Sequence, residues 1–263
     1  MGPVGVRERA ELTVRLRAAG CVAAEEEAAE IWSAAGADEE AAAAMVARRE
    51  TGEPLAWIIG RIDFGGVQIS VAPGVYVPRW QTAALAAAAL RRLPAGGTCL
   101  DLCTGSGAVP AYLRAKGASG RLLGTDVDPT AVACARSNGV EAIRCSLDTD
   151  VPSELEHRFD VLTAVVPYVP RSALPLLAPD VRQWEPPVAL DGGPDGTQVL
   201  RQVAGLAPRW LRPGGWLLLE MGADQIGTLT DMAEGLGFDA VSVLADGDGD
   251  PCGFEARWAS TSL

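Results

Sequence analysis

The chain has one histidine, His157, in 263 residues. A Ser-His-Asp relay would have to run through it. It lies in the charged stretch Glu154-Leu155-Glu156-His157-Arg158, which reads as a solvated turn. The six cysteines, Cys21, Cys99, Cys103, Cys134, Cys145 and Cys252, include no C-x-x-C pair. With no histidine cluster either, no zinc or other metal site is expected. Cys99, Cys134 and Cys145 sit among apolar residues and read as small core residues of a reducing compartment. Basic charge is also scarce: 22 Lys and Arg stand against 34 Asp and Glu, for a net charge of −12. Nucleic acids and anionic membrane surfaces need clustered positive charge, so neither is expected as a partner. A basic protein or a cationic ligand stays open. No run of 18 uncharged apolar residues exists, so no membrane span is expected. The opening MGPVGVRERAELTVRL mixes charge into its apolar residues, unlike a secretory signal, and Val6 stands where a myristoylation signal needs Ser or Thr. A cytoplasmic location follows as the expectation. At 48% hydrophobic and 21% charged, the composition excludes a disordered chain.

What is present falls into three parts. Residues 1–55 read as a small helical domain. Leu12 and Leu16 are four apart, Val22 and Ile31 fall near later helical segments, and 23–35 and 38–50 are rich in Ala and Glu. Asp38, just before the Ala41–Ala44 run, has the character of an N-terminal cap. Residues 56–80 read as a hairpin linker: Phe64, Val67, Ile69 and Val71 include a period-two stretch, Gly65-Gly66 and Pro73-Gly74 are turn signals, and the hairpin is expected to end in Val75-Tyr76-Val77-Pro78-Arg79.

Residues 81–263 alternate. Strands are expected at 98–102, 121–126, 140–145, 159–166 and 215–221, with helices at 81–93, 108–116, 129–138, 197–212 and 223–236, a Pro-rich loop over 167–196 and two C-terminal strands. Strands alternating with helices predict a doubly wound α/β sheet, whose ligands bind at the carboxyl ends of the strands.

The first such end is Asp101-Leu102-Cys103-Thr104-Gly105-Ser106-Gly107, a strand running into G-x-G at a helix start. Glycines there let backbone approach a ligand, and the helix N-terminus offers free N–H groups. The next strand ends in Asp126, 21 residues beyond Gly105, an acid placed to accept both ribose hydroxyls. Pro110 occupies the third glycine position of a dinucleotide fingerprint. That favours a single-nucleoside ligand such as S-adenosylmethionine.

Read together, GEPLAWIIG (52–60), the Phe64-Gly65 hairpin, PGVYVPR-x-x-T (73–82), DLCTGSGA (101–108), TDVDP (125–129), FDVLTAVVPYVP (159–170), EPPVALDGGPDG (185–196) and RPGGWLLLE (212–220) resemble the HemK/PrmC family of protein-glutamine methyltransferases in order and spacing over nearly the whole chain. The likeness is to an actinobacterial branch of unassigned substrate. It implies an α/β class I (Rossmann-like) methyltransferase sheet with an N-terminal helical domain that helps bind the substrate. It further implies methyl transfer from S-adenosylmethionine to a side-chain amide nitrogen. By that resemblance Cys103, Thr104, Gly105, Ser106 and Gly107 would hold the methionine part of the cofactor and Asp126 the ribose. Ser146 and Leu147 would lie by the adenine. Residues 165–168 would form the acceptor site, with Pro78, Arg79 and Thr82 lining the linker beside it.

The departures from the family pattern fall on these working positions. The family motif is Asn-Pro-Pro-Tyr or Asn-Ala-Pro-Tyr, and this chain has Val165-Val166-Pro167-Tyr168. The family asparagine binds the acceptor amide by two hydrogen bonds and aims it at the methyl group; valine has neither donor nor acceptor. An unmade buried hydrogen bond costs about 1–3 kcal/mol, roughly 5- to 150-fold in rate. Where the family often has Gly-Asp-Leu, this chain has Cys145-Ser146-Leu147. Cys103 replaces a glycine and is expected to be harmless if its φ is ordinary.

Trp80, Tyr168 and Trp184 are candidates for an aromatic wall. Arg79, Trp80, Thr82 and Glu185 are candidate substrate contacts, although Glu185 and Asp191 equally read as residues that shape their loop. Asp246-x-Asp248-x-Asp250 lacks the Gly and Glu of a Ca²⁺ loop and reads as an acidic turn. Three functions remain open on the sequence. The first is a methyltransferase with an altered acceptor, protein or small molecule. The second is a methyltransferase fold turned to small-molecule cyclisation or elimination in secondary metabolism. The third is a non-catalytic subunit that binds a partner protein.

Overall fold

The computed structural model describes residues 4–259, with side chains from Arg9 onward, so the side chain of Val6, where the myristoylation reading falls, is outside what is described. Three helices open the chain: α1 (Val4–Ala18), α2 (Ala24–Ala34) and α3 (Glu39–Arg49). They bury Leu12, Leu16, Ala28, Ile31 and Val46 against one another in a core of their own. Asp38 caps α3 by accepting the Ala41 N–H at 2.7 Å. Val22 falls in the turn after α1 and is fully exposed, so it takes no part in this core.

The short helix α4 (Leu55–Ile59) leads into a hairpin of β1 (Arg61–Asp63) and β2 (Gln68–Ser70). This hairpin ends sooner than expected. Residues 71–79 run on without sheet pairing, because the turn at Ala72–Val75 and then Pro78 interrupt the ladder. Val75 and Val77 are still buried, packed with Trp57 of α4. The Trp57 indole donates to the Val75 carbonyl at 2.9 Å, which folds the linker on itself, and the same cluster takes in Ala131 and Cys134 of the third part. Phe64 at the hairpin tip is 1% exposed and meets the Tyr112 ring edge-on at 5.9 Å.

That third part alternates as expected: α5 (Thr82–Arg92), β3 (Cys99–Leu102), α6 (Ala108–Ala115), β4 (Leu122–Asp126), α7 (Pro129–Ser137), β5 (Glu141–Arg144) and β6 (Phe159–Ala164). The Pro-rich stretch holds a short helix, α8 (Pro179–Trp184), between 3₁₀ turns. Then come α9 (Gln198–Trp210), β7 (Leu211–Glu220), α10 (Ile226–Gly235), β8 (Phe238–Ala245) and β9 (Pro251–Trp258). The sheet order is β5-β4-β3-β6-β7-β9-β8. The first five strands in that order are parallel, and β9 pairs antiparallel with both β7 and β8. The connections leave β3 and β6 in opposite directions, so a crevice opens above their carboxyl ends.

The two faces of the sheet divide by the strand period of two. Leu100, Leu102, Leu162, Ala164, Leu217 and Leu219 face α9 and α10 in the larger core. Cys99, Val161 and Leu218 face α5 and α6. β6 ends at Ala164, two residues before the expected end, and β7 begins at Leu211, four residues early, with a register shift beside Val161. The segment 165–168 therefore leaves the sheet and hangs over the crevice. None of the six cysteines is in a disulfide, and Cys99, Cys134 and Cys145 are buried.

Phe64→Ala should cost about 3–5 kcal/mol, the usual cost of truncating a buried phenylalanine. Urea unfolding monitored by far-UV circular dichroism checks it. A change under about 1 kcal/mol would mean that the hairpin is not anchored through Phe64.

Candidate functional site

The crevice is a single large cleft of about 1140 Å³. This exceeds the roughly 300–1,000 Å³ of most small-molecule pockets, leaving room for two ligands side by side. Its floor is the β3–α6 loop. Asp101 is 2% exposed and accepts the Thr104 and Thr163 hydroxyls, each at 2.6 Å. Burial pushes its carboxyl up to about 6, against the pull of those two hydrogen bonds. The bonds tie the G-x-G loop to β6. Gly107 takes φ +76°, and a Cβ there would meet Val140 at 2.9 Å, so the position accepts only glycine.

Cys103 does not have ordinary angles. Its φ is +57°, in the left-handed region that costs a non-glycine residue about 1–2 kcal/mol. The condition under which the substitution would be harmless, an ordinary φ, is therefore not met. Leu147 shares the strain at φ +51°. Both strained residues line the cleft, and such strain often collects where a ligand is held.

Asp126 stands at the end of β4. One of its oxygens accepts the Gly105 N–H and the other the Asp128 N–H, both at 2.9 Å. Burial raises its pKa, against those backbone donors. Each oxygen keeps a lone pair for a further donor. The Ser106 hydroxyl is buried and has no partner within the protein. Thr104, Gly105, Ser106, Ser146 and Leu147 line the same end of the cleft. An acid with spare lone pairs, an unpartnered hydroxyl and a glycine-lined helix start together fit an aminoacyl nucleoside such as S-adenosylmethionine.

The other end is built from Val165, Pro167 and Tyr168 with Thr82 and Arg79. Its backbone is held by the glycine-rich loop. The Val169 N–H donates to Leu190, the Gly192 N–H to Val169 and the Gln225 side chain to Tyr168. A Cβ on Gly196, at φ +76°, would sit 2.3 Å from the Tyr168 carbonyl, which is why this loop needs a glycine there.

Not every candidate reaches the cleft. Trp80 is about half exposed, and Trp184 turns edge-on to Trp57 at 6.5 Å, so neither joins Tyr168 in an aromatic wall. Glu185 lies behind the lining and pairs with Arg79 at 2.6 Å. The Arg79 guanidinium also lies over the Tyr76 ring, whose hydroxyl burial pushes up to about 12. Asp191 does line the cleft, where it pairs with Arg171 and accepts the Gly193 N–H. Asp246 and Asp250 reach its rim, and Asp246 accepts the Asp248 and Asp250 N–H groups in the β8–β9 turn; no metal-ligating cluster occurs among the described residues. His157 is exposed in its turn at φ +55°.

Sequence reasoning missed Glu220. It ends the apolar run of β7, is 3% exposed and lines the cleft beside Tyr168. The Tyr168 hydroxyl donates to its Oε1 at 3.4 Å, and the Thr82 hydroxyl faces the same carboxylate. Burial raises the pKa of both groups. The available signal was an acid closing a fully apolar strand, since such residues are almost never buried without a reason.

Comparison with known proteins decides the family. The chain is 37% identical to the release factor glutamine methyltransferase of Geobacter sulfurreducens over 197 residues, 74% of this chain and 69% of that protein. It is 38% identical to the Cereibacter sphaeroides protein of the same name, over 78% of this chain and 75% of that one. The chain belongs to the release factor glutamine methyltransferase family. A Mycobacterium tuberculosis relative of that name is 41% identical over 67% of this chain, which spans 60% of its length. No family model matches the chain. Among solved structures, a Pyrococcus furiosus methyltransferase superposes with a TM-score of 0.54 at 19% identity, over 74% of this chain and 90% of that one. The Thermus thermophilus 16S rRNA N2 G1207 methyltransferase, in complex with AdoMet and guanosine, gives 0.51 at 18% identity over 76% and 44%. These likenesses show the class I methyltransferase fold. The release factor glutamine methyltransferase relatives make the chain a methyltransferase-like enzyme whose cofactor is S-adenosylmethionine. No helix among the described residues is long and apolar enough to cross a membrane.

Cys103→Gly should relieve the left-handed strain and stabilise the fold by about 1 kcal/mol, or roughly 2–4 °C in Tm. Differential scanning calorimetry reads this directly. An unchanged or lower Tm would show that the Cys103 side chain contributes more than its backbone costs.

Proposed function

We propose that this family member methylates a nitrogen other than the glutamine amide that names its relatives, on a protein or a small-molecule acceptor, in the cytoplasm. The reading is supported chiefly by the contrast between the two ends of one cleft. The donor end keeps Asp126, the unpartnered Ser106 hydroxyl and the glycine loop. At the acceptor end Val165 stands in place of the asparagine of the family motif.

S-Adenosylmethionine supplies an electrophilic methyl group when bound. Asp126 would hold the ribose hydroxyls, residues 103–107 the methionine part, and Ser146 with Leu147 the adenine edge. Pro167 and Tyr168, pinned by the glycine-rich loop, would set the acceptor's approach. The Pro167 and Tyr168 backbone stays in place whatever side chain stands at 165, so shape at the acceptor end is kept while amide recognition is lost. An amide nitrogen shares its lone pair with the carbonyl and needs strict alignment to react. A valine cannot give it that. No observation favours cyclisation or elimination.

The test is transfer of a labelled methyl group from S-adenosylmethionine to a glutamine-containing release factor fragment. The chain as it stands should be at least roughly 5- to 150-fold slower than Val165→Asn, the range set by one lost buried hydrogen bond. Efficient methylation by the unaltered chain would overturn the altered acceptor. Equal inactivity of both forms would count against glutamine as the ancestral acceptor of this cleft.

A further inference from the structure

The segments shared with the family close the acceptor end of the cleft, and three stretches outside them form its mouth. One is Trp80, an unmatched position inside PGVYVPR-x-x-T. The second is 171–184, between the shared stretches 159–170 and 185–196. The third is the β8–β9 turn at 246–250, beyond the last shared stretch. All three stand by the acceptor end. Gly253, shortly after the turn, pairs with Glu220. Glu185, which follows α8, pairs with Arg79, and Trp80 is the next residue along the chain.

Each stretch leaves side chains that the protein itself does not hold. Leu176, Leu177 and Val181 belong to none of the hydrophobic cores. Leu176 is 84% exposed, while Leu177 and Val181 line the cleft. Trp80 is 55% exposed, and its ring comes within 3.8 Å of where a Cβ on Gly247 would stand, so it flanks the acidic turn. In that turn Asp246 uses one oxygen on the Asp248 and Asp250 N–H groups. None of these three acids forms an ion pair among the described residues. The cleft beneath is lined by seven acids and one base, Arg79, which Glu185 already holds. Exposed apolar side chains gathered at one opening mark an interaction site. An aromatic ring beside unpaired carboxylates attracts cations and repels anions.

We infer that this mouth is the docking groove for a segment of a protein acceptor, with Lys or Arg on one flank of the methylated residue and an apolar side chain on the other. The inference rests on the methyltransferase reading above and names the kind of partner. A small acceptor seated in the cleft would touch Leu177 and Val181 yet leave Leu176 and Trp80 uncovered, since both lie outside the cleft lining. A chain running across the mouth covers all four. The stem of its Lys or Arg lies along the Trp80 ring, with the charge toward Asp248 and Asp250. Its apolar side chain is buried against Leu176, Leu177 and Val181. The same carboxylates turn away acidic segments and the phosphates of nucleic acids. Val165 changes what can react, and the mouth selects which protein brings it.

The experiment is fluorescence anisotropy of labelled peptides titrated with the full chain, with and without S-adenosylhomocysteine. Three short peptides share a central alanine. One carries two arginines on one flank and two leucines on the other, the second has glutamates for the arginines, and the third has serines for the leucines. The first should bind at least roughly tenfold more tightly than either of the others, the scale of one buried leucine or of a cation held by a ring and two acids. Asp248→Asn with Asp250→Asn should bring the glutamate peptide to within about threefold of the first, in keeping with exposed ion pairs. Trp80→Ala should weaken the first peptide several-fold, and Leu176→Ser should shrink its advantage over the serine peptide. All these positions are exposed, so affinity for S-adenosylhomocysteine should be unchanged in every variant. Equal binding of the three peptides overturns the groove, as does a preference for arginine that survives the paired Asp→Asn change. If 4-phenylbutanamide binds and Leu176→Ser weakens it while no peptide binds, the mouth belongs to a small acceptor and the protein segment is excluded. If S-adenosylhomocysteine does not bind the unaltered chain, the methyltransferase reading fails, and the peptide titration without it still decides the groove.

Discussion

The geometry of the whole cleft hangs on one buried carboxylate. Asp101, one residue before the end of β3, accepts one hydroxyl from the cofactor loop, Thr104, and one from the adjacent strand, Thr163. Two residues beyond Thr163 the chain leaves the sheet as Val165. The donor loop and the acceptor segment are thus braced on one atom group inside the sheet, where the low dielectric strengthens a satisfied hydrogen bond and penalises a broken one. The crevice exists because the connections diverge at β3 and β6.

The two ends of that crevice have fared differently. The donor end keeps a carboxylate and a buried unpartnered hydroxyl, and it tolerates left-handed strain at Cys103 and Leu147. Strain persists only where the surroundings hold it in place, and at Leu147 the carbonyl is held by the Thr125 hydroxyl, which donates to it at 2.6 Å. The acceptor end keeps its backbone, clamped by the 190–196 loop and Gln225. At 165 it carries a valine where the family motif has an asparagine.

Much of this was legible in the residues. Continuous apolar runs such as Trp216–Leu219 and the 3.6-residue spacing of Leu200, Val203, Ala204 and Ala207 mark strands and helices by period alone. The loops after β3 and β4 follow from Gly105, Gly107 and Asp126. Other features depend on tertiary context. Val165 and Val166 look like strand, and only the packing of Gly192 and Gly196 shows that the chain has already left the sheet. Trp184 is equally apolar whether it faces a substrate or Trp57. The φ of Cys103 is set by a turn that glycine would ordinarily make, and its sequence neighbours do not reveal it. Glu220 was hidden by its position at a strand end, where an acid reads as a solvated terminus until burial is known.

The central claim is that the donor site survives intact while the acceptor site has changed. Calorimetric titration of the purified chain with S-adenosylmethionine and S-adenosylhomocysteine tests it most directly. The account predicts binding of both in the micromolar range, about −8 kcal/mol. Absence of heat with both ligands, in a chain shown to be folded, would contradict it. The strained, glycine-lined loop above Asp101 would then serve something other than a methyl donor.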